Sequence, residues 1–436
     1  MRAPGLRRGA VALDADEVSS LIAARSGAAA AAVVAGRTLV PISATDPIEA
    51  VATLLAVRAA SGIGIITDDR SGPDRRARAL LCSGTAEAAA VRQAPQSIDG
   101  RPAWASFTSG SSGSPRLLLR TDRSWADSFP AVGSLLALDG DDTVLLPAPL
   151  SSSLSLFSVA HAAATGIPLR FPAHAALVAE DITDATITHT TPHGLRAIIE
   201  LIEGGSAHRL RAALVGGDAL DRGLRDRAES HGIRTIAYYG AAELSFVAID
   251  VDGRGHRPFP GVDVQIRDGE LWVRSPYLAL GYLGADGGAF RHDSDGWATV
   301  GDRAAFAGAR SSSGDDGPRI VLRGRRDAAI QTSSATVIPA DVEAALRAVD
   351  GVQDAVAFAI PHSRAGSLVG VTVQFAAHGA PLTSADLRDR VRSMLTLTHL
   401  PRRWFVSPEL PRTPSGKPER SRIRDEALSG RTARLD

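Results

Sequence analysis

Residues 107–116, "FTSGSSGSPR", bring together side-chain types that suit a polyphosphate. Small residues such as Gly110 and Gly113 let backbone amides approach an anion, the hydroxyls of Thr108, Ser109, Ser111 and Ser112 donate to phosphate oxygens, and Arg116 balances charge. The spacing is not that of a Walker loop, because Gly110 is followed by Gly113, Pro115 and Arg116 rather than by GK[ST]. On its own the stretch reads equally as a Ser/Gly-rich surface linker. Four later stretches carry further polar and charged types: "YYGAAE" (238–243), "GWATVGDR" (296–303), "RGRRDAAIQ" (323–331) and "PRTPSGKPER" (411–420). There is no HExxH, no Cys/His metal spacing and no GxSxG elbow, which disfavours zinc hydrolysis and serine-hydrolase chemistry.

The elements that must position these residues read as alternating helix and strand. Between Ile42 and Ser61, "PIEAVATLLAVRAA" has helical spacing, and "GIGIITDD" follows as a short buried strand. "DTVLLPAPL", "IPLRF", "LRAALVGGDAL" and "IRTIAYYG" read as strands, interleaved with helices in "SLFSVAHAAATG", "PHGLRAIIELIEGG" and "DRGLRDRAESHG". Such repetition implies an α/β fold, a parallel sheet with helices on its faces. After Ala248 the pattern turns antiparallel: "VDVQIRDGELWVRS" has the DG turn of a hairpin, and "RAAFAGARSSSGDDGPRIVLRGR" reads as two strands around a polar tip. A third composition begins near Gly324. Its helices lie in "SATVIPADVEAALRAVDGV" and "TSADLRDRVRSMLTLTHLP", the second capped by Thr383 or Ser384, and its strands in "QDAVAFAIP" and "LVGVTVQFA", a small α+β module.

The 436 residues, 44% hydrophobic with 48 basic and 48 acidic side chains, are enough for two or three domains with real cores. Zero net charge and scattered basic residues point to neither nucleic acid nor an anionic membrane as partner. A single cysteine, Cys82, excludes an intramolecular disulfide and makes a reducing cytoplasm the natural compartment. The most apolar N-terminal run, "GAAAAAVVAG" at 27–36, falls far short of the ~20 residues of a membrane span and lacks the flanks of a secretory signal. It is expected to form a buried helix.

In this order and at these separations, the five stretches resemble the adenylate-forming superfamily of acyl-CoA synthetases, nonribosomal peptide synthetase adenylation domains and luciferases. The resemblance covers essentially the whole chain, and the compact layout is most similar to the small acyl-CoA synthetases typified by o-succinylbenzoate-CoA ligase. It implies a large N-terminal domain over 1–323, of parallel α/β layers plus a distorted β-barrel-like part, and a small mobile C-terminal α+β domain over 324–436. It further implies ATP and Mg²⁺, activation of a small carboxylic acid to an acyl-adenylate, and transfer to a thiol of coenzyme A or of a carrier protein's pantetheine.

Residue by residue, the resemblance gives Thr108, Ser109, Gly110, Ser111, Ser112, Gly113 and Arg116 to the β- and γ-phosphates. Arg116 stands where the family usually has Lys, keeping the charge and adding a bidentate fork. Glu243 falls in the "YGxTE" pattern as the Mg²⁺ ligand, with Ala242 replacing the usual Thr and removing one hydroxyl. Tyr239, beside Gly240, stacks on adenine; Asp302 accepts the ribose hydroxyls and Arg325 approaches the ribose; Asp327 is the hinge; Lys417 is the lysine that the small domain supplies for adenylation. Taken singly, Glu243 also reads as a solvated helix-start glutamate, Tyr239 as a core ring, Asp302 and Arg325 as turn or surface residues, and Lys417 as a tail lysine.

Two departures bear on the later chemistry. Where the family commonly reads "KTGGENVYPAEVE", this chain has "QTSSATVIPADVE", so Ser333 and Ser334 replace glycines beside the pantetheine path and adenylation is the safer half of the reaction. Where relatives carry "PLFH" or "FDxS", it has "PAPLSSSLSLF" (147–157), with no Asp to pair an α-ammonium, which disfavours an ordinary α-amino acid. Ser151, Ser152, Ser153, His193, Gly216, Gly217 and Ala241 are the candidates for the acyl pocket, and the serines suggest small or polar acids. His161 and His193 read as packed or surface histidines, since activation needs an already ionised carboxylate. Rival readings are an adenylating enzyme that loads a carrier protein or an amine, and a catalytically impaired nucleotide-binding partner.

Overall fold

The computed structural model describes residues 2–34, 39–67, 100–108, 116–283, 289–307, 319–325, 330–332, 336–362, 366–376, 382–413 and 416–436. The chain is a mixed α/β protein of two compact units. The first comprises Met1–Gln265, Trp272–Val300 and Ala309–Ile320; the second comprises Ile266–Leu271, Gly301–Gly308 and Val321–Asp436.

The first unit is organised by a nine-stranded sheet. Its order is β13 (Arg257–Pro258), β12 (Ser245–Asp250), β11 (Arg234–Ala241), β10 (Ala212–Val215), β9 (Ile187–Thr190), β7 (Val144–Leu145), β8 (Leu169–Phe171), β1 (Leu6–Arg8), β2 (Val11–Leu13). All pairs from β11 to β1 are parallel, and the outermost pairs are antiparallel. From β7 the chain passes to β8 on one side and then to β9 on the other. That reversal makes a crevice at the carboxyl ends of the strands, the usual place for a ligand in such sheets.

The connecting helices start where the sequence offers caps. Thr191 accepts from Gly194 N ahead of Pro192–Glu203, whose Leu195, Ile198, Ile199 and Ile202 are buried at helical spacing. Ser152 accepts from Ser155 N to begin Ser153–Thr165, which Gly166 closes in the left-handed region at φ 85°. Asp46 caps Pro47–Ala59, so this helix begins after Ile42, which lies in strand β3 (Leu39–Ser43) paired in parallel with β4 (Ile63–Thr67). The alanine-rich run is a correction to expectation. It ends the helix Ala15–Val34, yet among the described residues of the run only Ala29 is buried. Alanines favour helix by propensity, but their methyl groups supply little drive to sink a whole helix.

A separate antiparallel sheet holds the start and end of the phosphate-type loop. Strand β5 (Trp104–Thr108) pairs with β6 (Arg116–Arg120), Thr108 opposite Arg116, and β6 pairs on its other side with β16 (Gly281–Tyr282), Tyr282 opposite Leu118. The "DG" hairpin forms as read, Asp263–Arg267 with Glu270–Arg274, with Asp268 and Gly269 at φ 52° and 76°.

The second unit carries a four-stranded sheet in which Val352–His362 pairs antiparallel with Gly366–Phe375, which pairs in parallel with Arg403–Val406, itself antiparallel to Ala433–Arg434. One apolar cluster joins Val342 and Leu346 of the helix Pro339–Arg347 to Val371, Val373, Leu387 and Trp404. Another joins Val356, Phe358 and Phe405 to Ile423 and Ala427 of the helix Arg420–Leu428. The helix capped by Thr383 runs only from Ser384 to Val391, shorter than its sequence pattern.

Candidate active site

Strand register brings three groups together in the first unit. Arg116, Leu118 and Arg120 project from one face of β6, and Tyr282, opposite Leu118, projects from the same face. The Arg116 guanidinium carbon therefore lies 5.6 Å from the centroid of the Tyr282 ring. The Tyr282 hydroxyl donates to Glu243 Oε1 at 2.6 Å, with Tyr282 4% and Glu243 7% exposed. Glu243 is thus no solvated glutamate. It sits in the three-residue connection between Ala241 and Ser245, which pair across β11 and β12, and Ser245 closes the turn at φ 59°. Gly240 has no alternative here, since a Cβ would lie 2.1 Å from the Ser245 carbonyl oxygen.

Arg120 fixes that turn from behind. Its Nη2 donates to the Ala242 carbonyl at 2.6 Å, its Nε to the same oxygen at 3.2 Å, and its Nη1 to Tyr277 O at 2.7 Å. Burial lowers its pKa to about 9, against the opposing pull of Glu243, so at neutral pH it is a buried cation. No cluster of three or more His, Cys, Asp or Glu forms among the described residues. Glu243 alone suits Mg²⁺, which typically takes one or two carboxylates and fills its remaining positions with water and substrate phosphate.

A second polar group lies under the carboxyl ends of β9 to β11. His189 shares a sheet face with Leu214 and Ile236, and Tyr238, two residues on, points to the same side. The Tyr238 hydroxyl reaches His189 Nε2 at 3.0 Å, and His189 Nδ1 meets Ser158 Oγ at 2.7 Å. Gly216 makes this crossing possible, because a Cβ there would stand 2.0 Å from Tyr238 Cζ. Burial lowers the His189 pKa to about 3, with His161 adding to the shift, and burial alone lowers His161 to about 4; both imidazoles are neutral at pH 7. His161 stacks on Phe129 with centroids 4.8 Å apart, the packed histidine that the sequence suggested.

Of the other acyl-pocket candidates, Ser151 is buried, Ser152 is occupied as a helix cap, Ser153 opens the helix, and Ala241 is half-buried. His193 is exposed on the first turn of its helix, and Gly217 is exposed at φ 89°. Thr108 is buried and Tyr239 half-buried at a bulge between Tyr239 and Gly240. Ser109, Gly110, Ser111, Ser112 and Gly113 lie outside the described residues, as do Asp327, Ser333 and Ser334. Sequence reasoning did not find Tyr282, Arg120, Ser158, His189 or Tyr238 as site residues.

In the second unit, Asp302 opens the strand Asp302–Ala307 after Gly301 at φ 82°, and Arg325 ends the strand Arg319–Arg325. Lys417 is half-buried in a closed turn: Thr413 N donates to Lys417 O at 2.7 Å, Lys417 N to Thr413 Oγ1 at 3.2 Å, and Arg412 Nη1 to Gly416 O at 3.0 Å. Ion pairs clamp both flanks. Arg412 Nη2 meets Asp354 Oδ2 at 2.5 Å, and Arg420 Nη2 meets Glu343 Oε2 at 2.6 Å, where Glu343 is 1% exposed and also accepts from Ala357 N.

Two family models match the chain, AMP-binding enzyme over residues 11–283 and AMP-binding enzyme C-terminal domain over residues 341–417. The uncharacterized acyl-CoA ligase YhfT of Bacillus subtilis is 27% identical over 370 residues, 79% of this chain and 72% of that protein. The probable non-canonical nonribosomal peptide synthetase CymA of Salinispora arenicola is 30% identical over 424 residues, 88% of this chain but only 5% of that protein. The o-succinylbenzoate CoA synthetase MenE of B. subtilis, solved with its acyl-adenylate intermediate, has the same fold at TM-score 0.78 and 18% identity, with 97% of this chain and 96% of that one covered. The same enzyme has also been solved with ATP and a magnesium ion.

Proposed function

The chain belongs to the AMP-binding enzyme family, and we propose that it is an ATP- and Mg²⁺-dependent ligase that activates a small carboxylic acid and passes it to a thiol, coenzyme A. The observation that carries this reading is the Arg116–Tyr282–Glu243 group, which ties one end of the Ser/Gly loop to a buried carboxylate through a single tyrosine. A cation and a hard oxygen ligand held in fixed relation suit a triphosphate that carries its own metal.

In the first step an oxygen of the ionised acid forms a bond to the α-phosphorus, and the bond from that phosphorus to the pyrophosphate oxygen breaks. No general base is needed, because the acid enters deprotonated. Arg116 and the hydroxyls of residues 108–112 hold the β- and γ-phosphates as charge moves onto the leaving pyrophosphate. Glu243 would hold Mg²⁺, which would supply charge neutralisation on the phosphates. Tyr239 and Gly240 take the adenine side, Asp302 accepts the ribose hydroxyls, Arg325 approaches the ribose, and Lys417 serves the adenylation step. Asp327 serves as the hinge between an N-terminal domain over 1–323 and a C-terminal domain over 324–436. In the second step a thiolate attacks the acyl carbonyl and AMP leaves. The lone cysteine supports a cytoplasmic setting.

One observation favours a second acceptor. Ser333 and Ser334 put side chains where the thiol path of relatives has glycine, and the likeness to CymA links the chain to carrier-protein chemistry. The test is a carboxylic-acid panel with ATP and Mg²⁺, followed by mass spectrometry for acyl-AMP and then by addition of coenzyme A. The ligase reading expects pyrophosphate and acyl-AMP with at least one acid and a thioester after the thiol is added. Acyl-AMP that never becomes a thioester supports the carrier or amine acceptor, and no pyrophosphate with any acid supports a nucleotide-binding partner.

A further inference from the structure

Lys417 is the only lysine of the chain, and every other one of its 48 basic side chains is arginine, Arg116 of the phosphate-type loop included. Arginine supplies charge on a planar fork, whereas lysine supplies a compact ammonium on a flexible stem, a donor whose position is no better defined than the backbone that roots it. What roots Lys417 is a network within the second unit that joins Glu343, Arg347, Asp354, Arg412 and Arg420. We propose that Asp354 and Arg347 are positioning residues for Lys417, joining the clamps on the two flanks of its turn into one frame that fixes where the ammonium is delivered. The inference rests on the ligase reading, in which Lys417 serves the adenylation step.

A β-bulge aims Asp354. Where Val352–His362 pairs with Gly366–Phe375, Val352 stands opposite Phe375 but Asp354 opposite Gln374, so Gln353 is the extra residue. Without it Asp354 would share the face of Val352, which packs in the apolar cluster of Val371 and Val373. The bulge turns Asp354 to the other face, that of Val356 and Phe358, against which Leu410 is buried at the start of the lysine segment. The Leu410 amide donates to Gln374 Oε1 at 3.1 Å, and Gln374 Nε2 donates to the bulged Gln353 at 2.8 Å. Two residues on, Arg412 meets Asp354, and Arg412 pairs across the turn with Pro418, the neighbour of Lys417.

Arg347 makes the two clamps one. Its Nη2 lies 3.3 Å from Glu343 Oε2, one turn back on the same helix, and its Nε lies 3.4 Å from Asp354 Oδ1. Each acid therefore faces two arginines, one of them shared. Neither flank can shift without moving a carboxylate that Arg347 ties to the other. Such a network adds less to stability than its Coulomb attraction suggests, because its carboxylates lose their hydration; what it gives is a single geometry for the groups it joins. Displacing a reacting group by about 1 Å can cost a hundredfold in rate, so that geometry matters at the lysine even where it adds little to the fold.

The single lysine supplies the test. Growth on isotope-labelled lysine gives the full chain one lysine backbone amide signal by NMR, that of Lys417, whose N–H donates to Thr413 Oγ1. In Asp354→Asn and in Arg347→Met this amide should exchange with solvent about tenfold faster than in wild type. Single-turnover acyl-AMP formation should fall by about tenfold or more in the same variants, with KM for ATP within about twofold. Thioester formation from synthetic acyl-adenylate should stay within a few-fold of wild type. Unchanged exchange at Lys417 in both variants overturns the proposal, as does a faster-exchanging amide with undiminished adenylation. Equal loss in both half-reactions also overturns it, since the network would then hold the fold of the second unit rather than the lysine. Should Asp354→Asn not fold, Arg347→Met, which leaves both acids their other arginines, decides by the same signals. If wild type releases no pyrophosphate with any acid but the Lys417 amide quickens in the variants, the frame stands and the ligase reading falls.

Discussion

At the scale of single residues, the groups proposed to act on substrate are held by partners distant in sequence. Tyr282 lies 39 residues from Glu243, His189 31 residues from Ser158 and 49 from Tyr238. Glu243 and Arg116 were named from local motifs, whereas Tyr282 and His189 meet their partners only through strand register. Tyr282→Phe keeps the ring beneath Arg116 and removes the hydrogen bond to a carboxylate, an interaction of about 1.5–3 kcal/mol. The expected result is roughly a tenfold to hundredfold loss in kcat/KM for ATP with a higher Mg²⁺ requirement, read from pyrophosphate release across a magnesium titration; an unchanged requirement contradicts the positioning role. The histidines supply a pH signature. Their folded pKa values, about 3 for His189 and about 4 for His161, lie below the ordinary 6.5, so the unfolded chain takes up protons first. The stability they contribute is complete above pH 6.5 and declines as pH falls toward 4, by roughly 1 kcal/mol per pH unit for each. Thermal midpoints at pH 7, 6 and 5 check it, and Gln at position 189 should flatten part of the slope.

At the scale of elements, capping and periodicity explain which expectations were met. Asp46, Ser152, Thr191 and Thr383 each start a helix by accepting from a backbone amide within the first turn, and each is visible as a residue type ahead of an apolar pattern. The alanine-rich helix failed the same reading because composition reports propensity, while burial depends on what packs against each face. The Lys417 turn illustrates the rest. Its proline- and glycine-marked bend was legible, but its anchors, Asp354 and Glu343, come from a strand and a helix more than fifty residues upstream. Glu343→Gln weakens the pairing with Arg420, whose side chain is half-exposed, and should destabilise the second unit by about 1–2 kcal/mol. Hydrogen exchange at the Thr413 and Lys417 amides should quicken in the same variant; an unchanged exchange rate there would mean the clamp does not order the turn.

At the scale of the whole molecule, the five motifs divide between the units: the loop at 107–116 and "YYGAAE" in the first, Asp302, Arg325 and Lys417 in the second. The order of motifs along the chain was legible, but the path was not, since Ile266–Leu271 and Gly301–Gly308 leave the first unit's span to join the C-terminal part. Hairpin pairing decides this, as where Glu270 stands opposite Arg303 within the second unit. The functional consequence is separable by half-reaction. Lys417→Ala removes the cation proposed for adenylation while leaving Glu243, Tyr282 and Arg116 untouched, so acyl-AMP formation in a single turnover should fall by about two to three orders of magnitude. The same variant given synthetic acyl-adenylate and coenzyme A should form thioester at a rate within a few-fold of wild type, because no carboxylate oxygen attacks phosphorus in that step. Equal loss in both half-reactions would mean that Lys417 holds the unit's fold rather than the adenylation step, and Lys417→Arg, which keeps a cation on the same turn, separates the two by restoring the fold's contribution without the lysine's compact ammonium.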